Sequence, residues 1–311
     1  MIGLKMPPAS TLPPFRPLTS CPVCGDADIS PWKKRTFDTL NLNKDQVKIT
    51  DSEYGKIWDL FCCGLCGHIF ANPSPSPEFI DSLYSQVEDP SYEEEAEGRA
   101  RNFLGILRTL EKLRPAKGGL FDVGAATGIL LALARDRGWI PSGVEPSGWA
   151  VARAAARYGL SIVHGSLADL PESRGPFQAM TMVDIIEHTP RPREAVAKAR
   201  ALLETGGLLC LVTPDIHSPA ARLAGKRWWH LRPGHLAYFS KESLERLLRD
   251  AGFMIVERRR YAWTFSAHYL AARLLPDRFK NGRSASLLKR IRIKLALGDS
   301  FEIYAMKEPL P

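Results

Sequence analysis

Long hydrophobic segments are missing from this sequence. It has no run of about 18 apolar residues, so it offers no candidate for a transmembrane helix. Prolines interrupt the first 18 residues, where a secretory signal peptide would need a continuous apolar core. We therefore expect a cytoplasmic protein, with residues 1–20 as an extended N-terminal lead. Hydrophobic residues still make up 45% of the chain, which excludes wholesale disorder and allows a sizeable core.

Net charge is scarce over most of the chain. The formal charge is +8, from 42 Lys/Arg and 34 Asp/Glu, but residues 252–311 alone carry twelve Lys/Arg against five Asp/Glu. Seven basic residues lie between Arg278 and Lys294 without an acid among them, and six acids lie between Glu88 and Glu97 without a base. The charge pattern therefore indicates one local basic surface and makes a nucleic-acid partner unlikely.

Cysteine is nearly absent beyond residue 66, where only Cys210 remains, and we expect that residue to be part of the core. The other five include two C-x2-C pairs, each followed by glycine, with 38 residues between the pairs. In a cytoplasmic chain such clustering indicates metal or redox chemistry rather than disulfides. Four thiolates suit tetrahedral Zn²⁺ and leave no open position for water, so the ion would be structural. We predict a zinc ribbon over residues 21–73 (the cysteine module), with ligands Cys21, Cys24, Cys63 and Cys66.

Other interpretations of the cysteine module stay open. Cys62 directly precedes the second pair and would be a ligand in a C-x3-C arrangement, although the repeated Cys-x-x-Cys-Gly favours Cys63. His68 is near enough in sequence to bind the metal, but four cysteines are available and a structural role is favoured. Reduced thiols without a metal, or a redox pair, would also explain the spacing.

An apolar strand, a glycine-containing turn and an apolar helix follow one another over residues 120–134. This order opens a doubly wound α/β sheet, in which the turn and the helix N-terminus approach a ligand. The next strand ends in Glu145, whose carboxylate can accept hydrogen bonds from both hydroxyl groups of a ribose. The spacing Gly124-x-x-x-Gly128 departs from the G-x-G-x-x-G of dinucleotide sites. The acid two residues before the first glycine, Asp122, also favours adenosylmethionine over a pyrophosphate.

At this point the sequence resembles the class I S-adenosylmethionine-dependent methyltransferases. The family motif is an acid, small residues and glycines; here it is Asp122-Val-Gly124-Ala-Ala126-Thr-Gly128, with Ala126 where glycine is usual. More narrowly, the chain looks like the ubiquinone-biosynthesis-type branch and, within it, the group with an N-terminal zinc ribbon. Later segments match in order over residues 118–307: Glu145-Pro-Ser147, Gly165–Pro171, Phe177–Val183, Asp184-Ile-Ile-Glu187-His188 and Leu202–Pro214.

The resemblance implies a fold, a cofactor and a set of residues. The fold is an α/β, doubly wound, Rossmann-like seven-stranded sheet with an antiparallel last strand. The cofactor is S-adenosylmethionine, and the structural Zn²⁺ belongs to the ribbon. The implied domains are the cysteine module, a linker and helical cap over residues 74–117, and a methyltransferase domain over residues 118–311. The positions that match cofactor-binding ones are Asp122, Gly124, Ala125, Ala126, Thr127, Gly128, Glu145, Pro146, Ser147, Ser166, Leu167, Val183 and Asp184.

Three residues are candidates for acceptor chemistry. His188 follows the fourth strand, at the edge of the sheet where α/β ligands bind. His235 and Tyr238 lie in the loop after the fifth strand, beside Trp228 and Trp229, and this loop would cover the acceptor. The alternatives are a histidine that is hydrogen-bonded to the backbone and tryptophans that pack the loop onto the sheet. We predict His188, His235 and Tyr238 as the catalytic residues.

Residues 262–297 interrupt the usual final hairpin. Residues 267–275 are helical in character, whereas residues 287–297 fit both an amphipathic helix and an alternating strand. We favour the helix and so predict a basic helical insertion. Its basic part, residues 278–294, would contact an anionic membrane or an anionic acceptor, which would place the protein peripherally at the membrane. A solvated helix that covers the sheet edge is the alternative.

The function predicted from these motifs is methyl transfer to a small molecule: a sugar, a lipid-linked compound or another secondary metabolite, with O-methylation favoured. Two alternatives remain. One is an RNA methyltransferase that uses the ribbon and the basic segment. The other is a non-catalytic scaffold that retains the cofactor fold, which Glu145 and the two motif glycines disfavour.

Overall fold

The computed structural model describes residues 14–274 and 287–309 of the chain. Among these residues, no helix has the length and apolarity needed to span a membrane. The strands are β1 (Phe15–Arg16), β2 (Ile29–Lys33), β3 (Leu60–Cys63), β4 (Ile69–Ala71), β5 (Ser74–Pro75), β6 (Gly119–Val123), β7 (Ile140–Glu145), β8 (Val163–His164), β9 (Phe177–Val183), β10 (Leu203–Pro214), β11 (Ala237–Tyr238), β12 (Phe253–Arg260), β13 (Trp263–Ser266), β14 (Arg292–Leu295) and β15 (Ser300–Lys307).

Helices connect the strands and cover the sheet. Several begin at a serine whose hydroxyl accepts a backbone N–H of the first turn, as Ser147 and Ser240 do. Short 3-10 helices occur at residues 39–41, 44–47, 172–174, 186–188 and 225–227. The α-helices are α1 (Pro77–Tyr84), α2 (Pro90–Glu94), α3 (Ala96–Leu113), α4 (Ile129–Asp136), α5 (Gly148–Tyr158), α6 (Pro192–Leu202), α7 (Pro219–Ala224), α8 (Lys241–Asp250) and α9 (Ala267–Leu274).

The central sheet has seven strands in the order β8-β7-β6-β9-β10-β15-β12. The strands from β8 to β10 are parallel, and β15 runs antiparallel between β10 and β12. This arrangement confirms the predicted fold, including the reversed last strand. Strand order reverses between β6 and β9, and such a switch point opens a crevice at the carboxyl ends of the strands.

The middle strands are apolar on both faces because helices cover both sides of the sheet. Residues 208–212 of β10 are each at most 3% exposed, and Cys210 among them is fully buried, as expected of a core residue. One hydrophobic cluster joins the sheet to α6 and α8, and a second joins it to α3 and α4. Two packed layers therefore hold the crevice edge in a fixed position.

The cysteine module packs directly on the domain of the seven-stranded sheet. Its strands form a four-stranded sheet in the order β11-β4-β3-β2, and β11 belongs to the loop that follows β10. The Trp58 indole N–H donates to the Pro233 carbonyl at 2.7 Å, and Trp58 is 2% exposed. At the N-terminal lead, β1 pairs with β5. The module and the loop of His235 therefore share one hydrogen-bonded unit.

The helix favoured for residues 287–297 is wrong at Arg292–Leu295. Residues Arg292–Leu295 form β14, which pairs antiparallel with β13 over four residue pairs. In β13, the Thr264 N–H donates to Asn102 of α3 and the Ser266 N–H donates to Glu95, so α3 and the residue before it also hold this strand. Arg292–Leu295 forms a strand because β13 is available as a pairing partner, and such tertiary pairing overrides local helix propensity. Residues 275–286, which include part of the predicted insertion, lie outside the described residues.

Candidate active site and metal centre

A cavity of about 1050 Å³ opens at the carboxyl ends of β6, β7 and β9. Its walls come from these strand ends, from α3, from the loop that carries His235, from β13 and α9, and from the cysteine module. All predicted cofactor residues except Gly128 line it, and so do His188 and His235. The sequence motifs, scattered over more than a hundred residues, therefore meet at one site.

The turn after β6 needs left-handed backbone conformations. Gly124 has φ +69° and Gly128 has φ +80°. A Cβ on Gly124 would lie 2.2 Å from Ile185 Cδ1, and one on Gly128 would lie 2.8 Å from Leu160 Cδ1. Ala126 adopts φ +46°, a conformation that costs free energy for a residue with a Cβ. Conformation and close packing together therefore explain the two motif glycines.

Glu145 is fixed by the turn that it faces. Its Oε2 accepts the Ala126 N–H at 2.8 Å, and its Oε1 accepts the Ser147 N–H at 2.8 Å. Burial raises the pKa of Glu145, and these two N–H donors oppose that rise. Each carboxylate oxygen retains a further lone pair that can accept another hydrogen bond.

Two aspartates lie deeper in the cavity. The Thr181 hydroxyl donates to Asp122 Oδ1 at 2.6 Å, while burial raises the pKa of Asp122 to about 7. Asp184 has φ +54°, and burial raises its pKa to about 7 against the opposing charges of Arg99 and Arg232. Burial therefore disfavours the charged form of both carboxyls.

Arg99 is a site residue that the sequence motifs did not indicate. It lies on α3, is 8% exposed and places its guanidinium 3.7 Å from the ring centre of Tyr92, while its buried Nε has no hydrogen-bond partner within residues 14–274 and 287–309. Both residues line the same cavity as the glycine turn. No local pattern marks an arginine in a helix as a ligand, because its relevance depends on the packing of α3 against β6.

The site fits S-adenosylmethionine on chemical grounds. Glu145 offers a carboxylate for ribose hydroxyls, and the small residues at positions 124–126 let a ligand approach the backbone. The Arg99 guanidinium offers charge-assisted donors to a carboxylate. The Thr127 hydroxyl is buried and has no hydrogen-bond partner in the part of the chain that the structure describes. These groups match the hydroxyls and the amino-acid carboxylate of that cofactor.

The predicted catalytic residues lie near one another but in different surroundings. The rings of His188 and His235 are edge-to-face with centres 4.7 Å apart, and the His235 and Tyr238 ring centres are 6.1 Å apart. Tyr238 does not line the cavity; it is 2% exposed in the cluster between the cysteine module and the loop after β10. His188 and His235 therefore face the acceptor space, whereas Tyr238 packs behind them.

Hydrogen bonds assign the tautomer of His188. Its Nδ1 lies 2.7 Å from the Gly234 carbonyl oxygen and 2.7 Å from the Tyr84 hydroxyl. A carbonyl can only accept, so Nδ1 carries the hydrogen and Nε2 keeps a free lone pair. Burial, with the charge of Arg232, lowers the pKa of His188 to about 3. The ring is therefore neutral at physiological pH, with its basic nitrogen unprotonated.

This low pKa makes the stability of the protein sensitive to acid. The ordinary pKa of histidine is 6.5 and that of folded His188 is about 3, so the unfolded chain binds the extra proton between these values. The stability contributed by the neutral ring is complete above about pH 6.5 and is lost as the pH falls toward 3. Urea unfolding should show the advantage of wild type over His188→Gln shrinking by up to about 2 kcal/mol between pH 7.5 and about pH 5. An equal change in the exposed-site variant His164→Gln would contradict the assignment.

Glu187 is a third polar residue that lines the cavity beside His188 and His235. The Thr213 hydroxyl donates to Glu187 Oε2 at 3.0 Å, while Oε1 is buried and has no partner in the described part of the chain. Burial, together with the charge of Asp184, raises the pKa of Glu187 well above its ordinary value. One carboxylate oxygen of Glu187 and one ring nitrogen each of His188 and His235 lie within 4.8 Å of one another. Such a group can hold an acceptor by hydrogen bonds.

The four predicted zinc ligands form a compact group. The Sγ atoms of Cys21 and Cys66 are 3.6 Å apart, those of Cys24 and Cys63 are 3.5 Å apart, and all four lie within 4.8 Å. Thiolates about 2.3 Å from a tetrahedral ion are separated by about 3.8 Å, so the spacing fits Zn²⁺. Hydrogen bonding with the Cys66 thiol lowers the pKa of Cys21 to about 5, which favours a thiolate there.

Both cysteine pairs occupy similar turns. The N–H of Gly25 bonds to the Cys21 carbonyl and the N–H of Gly67 bonds to the Cys63 carbonyl, with both glycines at positive φ. Cys62 is outside the group of four, and its thiol points to the Cys63 carbonyl. His68 is fully buried between aromatic rings, and neither ring nitrogen has a partner among the described residues.

Comparison with known proteins identifies the central domain. A family model described as a methyltransferase domain matches residues 92–258, which run from within α2 to within β12. A comparison with curated proteins finds no match. The matched range contains the glycine turn, Glu145 and the Asp184–His188 segment.

Solved structures show the same fold. Magnesium protoporphyrin IX methyltransferase from Synechocystis PCC 6803 with bound SAH is 13% identical, with a TM-score of 0.50, and the alignment covers 75% of this chain and 100% of that chain. A SAM-dependent methyltransferase from Archaeoglobus fulgidus is 15% identical, with a TM-score of 0.50, and the alignment covers 70% of this chain and 100% of that chain. At these identities the likeness concerns the fold alone.

Proposed function

The chain belongs to the methyltransferase domain family and is a class I S-adenosylmethionine-dependent methyltransferase, and from that premise we propose that it methylates a small-molecule acceptor. The observation that carries this proposal is the single cavity that joins the cofactor turn to His188 and His235. A cavity of about 1050 Å³ beside the cofactor turn suits a small acceptor, because its reacting atom must come into line with the cofactor's methyl group. We place the chain in the ubiquinone-biosynthesis-type branch on the motif order given above.

The proposed cofactor contacts follow from the site chemistry. Glu145 would accept the ribose hydroxyls, and Arg99 would meet the amino-acid carboxylate. Asp122 and Asp184 would fix the turn and the methionine end, while Ser166 and Leu167 would lie along the adenine. The bound cofactor supplies an activated methyl group, so the remaining task of the protein is alignment and proton removal.

His188 is the proposed base of an O-methylation. A hydroxyl acceptor becomes more nucleophilic when its proton moves to a nearby base during attack. Nε2 of His188 has the required free lone pair, since Nδ1–H is held by the Gly234 carbonyl. His235 and Glu187 would position the acceptor, because each has a buried polar atom that no described residue contacts by a hydrogen bond. Tyr238 would support the position of His235 from behind.

The cysteine group is proposed to hold a structural Zn²⁺, with Cys21, Cys24, Cys63 and Cys66 as ligands. Four protein ligands fill a tetrahedral ion, so it would stabilise the fold and take no part in methyl transfer. The spacing of the thiols supports this assignment. The site is separate from the acceptor chamber, because none of the four cysteines lines it.

The basic segment supports a lipid-linked acceptor better than RNA. The acidic stretch neutralises part of it: Arg292 bonds to Glu97 at 2.7 Å, and Lys289 lies 3.8 Å from Glu94. Exposed Ile291 and Ile293 lie on the same hairpin, beside Leu295 and Leu297 of the cavity wall. Apolar and cationic side chains together suit an anionic lipid surface or an anionic acceptor.

Transfer of labelled methyl groups tests the acceptor class. The enzyme is incubated with methyl-tritiated S-adenosylmethionine and with lipid, water-soluble and RNA fractions of a cell extract. We expect label in a lipid or water-soluble small molecule, at a rate at least about 100-fold lower for His188→Gln, in line with the contribution of a general base. Label confined to RNA would contradict the proposal, and so would equal rates for wild type and variant.

A further inference from the structure

Residues 44–55, between the two cysteine pairs, form a wall of the acceptor chamber (the inter-pair wall). Val47, Ile49, Asp51 and Tyr54 all line the cavity. Ile49 is 43% exposed and Tyr54 is 39% exposed, so both offer free side-chain surface. A zinc module with a purely structural role would have no reason to place side chains in the active-site cavity.

Arg232 fixes the inter-pair wall from the loop that carries His235. Its Nε donates to Asp51 Oδ2 at 3.2 Å, and its Nη2 donates to the carbonyls of Lys48 at 2.6 Å and Ile49 at 3.1 Å. The side chains are largely buried, with 15% of Arg232 and 2% of Asp51 exposed. Charge-assisted bonds in such surroundings are stronger than those in water. The wall is therefore joined to the loop that holds an acceptor-side histidine.

Arg273 fixes the same wall from α9. Its Nη2 donates to the Thr50 carbonyl at 2.7 Å and its Nε donates to the Tyr54 hydroxyl at 3.2 Å. The guanidinium lies 3.5 Å from the ring centre of Tyr269, which also lines the cavity. Thr50 in turn donates through its N–H and hydroxyl to Asp89. Bonds from three separate elements therefore hold one short segment in place.

We infer that the inter-pair wall binds the acceptor, and that the metal centre governs acceptor binding by holding both ends of the chain that forms this wall. The inference rests on the proposed function for the nature of the ligand. The side chains that the wall exposes to the cavity are apolar or aromatic, whereas the Asp51 carboxylate is bonded to Arg232. Trp229, Trp263 and Phe265 line the same chamber. The part of the acceptor that contacts the wall is therefore an apolar or aromatic group.

Amide hydrogen exchange tests whether the wall depends on these bonds. In Arg273→Gln we expect about tenfold faster exchange for the amides of residues 50–55, since bonds to a charged group are lost. Removal of the metal by a chelator should accelerate exchange over the whole of residues 44–55. Arg222→Gln, an exposed arginine outside the cavity, is the control. Unchanged exchange in both Arg273→Gln and the metal-free protein would overturn the inference.

A second comparison separates acceptor binding from cofactor binding. Ile49→Asp places a charge in the apolar wall, and Leu40→Asp places the same charge at a 76% exposed position outside the cavity. With limiting small-molecule extract, Ile49→Asp should incorporate label about tenfold more slowly, while SAH affinity by calorimetry stays within twofold. The inference would be overturned if the two variants had equal rates. It would also be overturned if Ile49→Asp lost as much SAH affinity as it lost rate. If the wild-type protein did not bind SAH, the proposed function would be contradicted instead. The hydrogen-exchange experiment would still test whether the inter-pair wall depends on Arg273 and on the metal.

Discussion

Cys24→Ser is expected to lose the bound metal and to unfold the cysteine module. Zinc binding to small modules is worth about 10–16 kcal/mol, and it depends on all ligands being thiolates or imidazoles. The module also shares a sheet with β11 and packs Trp58 under the loop of His235. We therefore expect the loss of several kcal/mol in the free energy of unfolding. Metal analysis should find about one zinc per wild-type chain and much less in the variant.

Cys62→Ser is the matched control for this change. Cys62 is adjacent to a ligand in sequence, but its thiol is not part of the group of four. This variant should retain the zinc and nearly all of its thermal stability. If native wild-type protein contains no zinc, the assignment of the metal centre fails. If Cys62→Ser loses the metal and Cys24→Ser keeps it, the ligand set is wrong.

Glu145→Gln is expected to weaken SAH binding by about 100-fold. Each carboxylate oxygen of Glu145 already accepts one backbone N–H, and an amide would place an NH₂ group against one of those donors. The variant would also lose the charged acceptor for the two ribose hydroxyls. Two charge-assisted hydrogen bonds are worth about 3 kcal/mol together, which corresponds to a factor of about 100. Titration calorimetry with SAH measures this loss directly.

Glu194→Gln is the comparison for Glu145→Gln. Glu194 lines the rim of the same cavity, and its side chain is 69% exposed. It should bind SAH as wild type does, because screened surface charges contribute little. A change of less than threefold in Glu145→Gln, in a protein whose melting temperature is retained, would rule out the ribose assignment.

The fold and the cofactor turn were predictable because their signals are contiguous in sequence. The segment from Asp122 to Gly128 carries its strand end, its positive-φ glycines and its helix start within a few residues. Phe177–Val183 was predicted as the fourth strand and is β9 at the same boundaries. The two C-x2-C pairs also carry their turn glycines with them. Local backbone chemistry was sufficient for each of these predictions.

Arg99, Arg232 and Arg273 were not predictable as site residues, because nothing near them in sequence marks them. Arg232 bonds to residues more than 180 positions away, and Arg273 bonds to residues more than 210 positions away. The strand at Arg292–Leu295 was missed for a related reason, since its pattern fits both a helix and a strand until β13 lies beside it.

The sequence by itself determined the class I methyltransferase architecture, the cofactor turn with Glu145, and the four cysteines that can hold a metal. Only the tertiary structure decided that the chain between those cysteines lines the same cavity as the cofactor turn, and that Arg292–Leu295 is a strand whose Arg292 pairs with Glu97. The physical reason is the range of the interactions. Turn conformation and motif spacing act over a few residues, whereas a cavity wall exists only after distant segments have packed together.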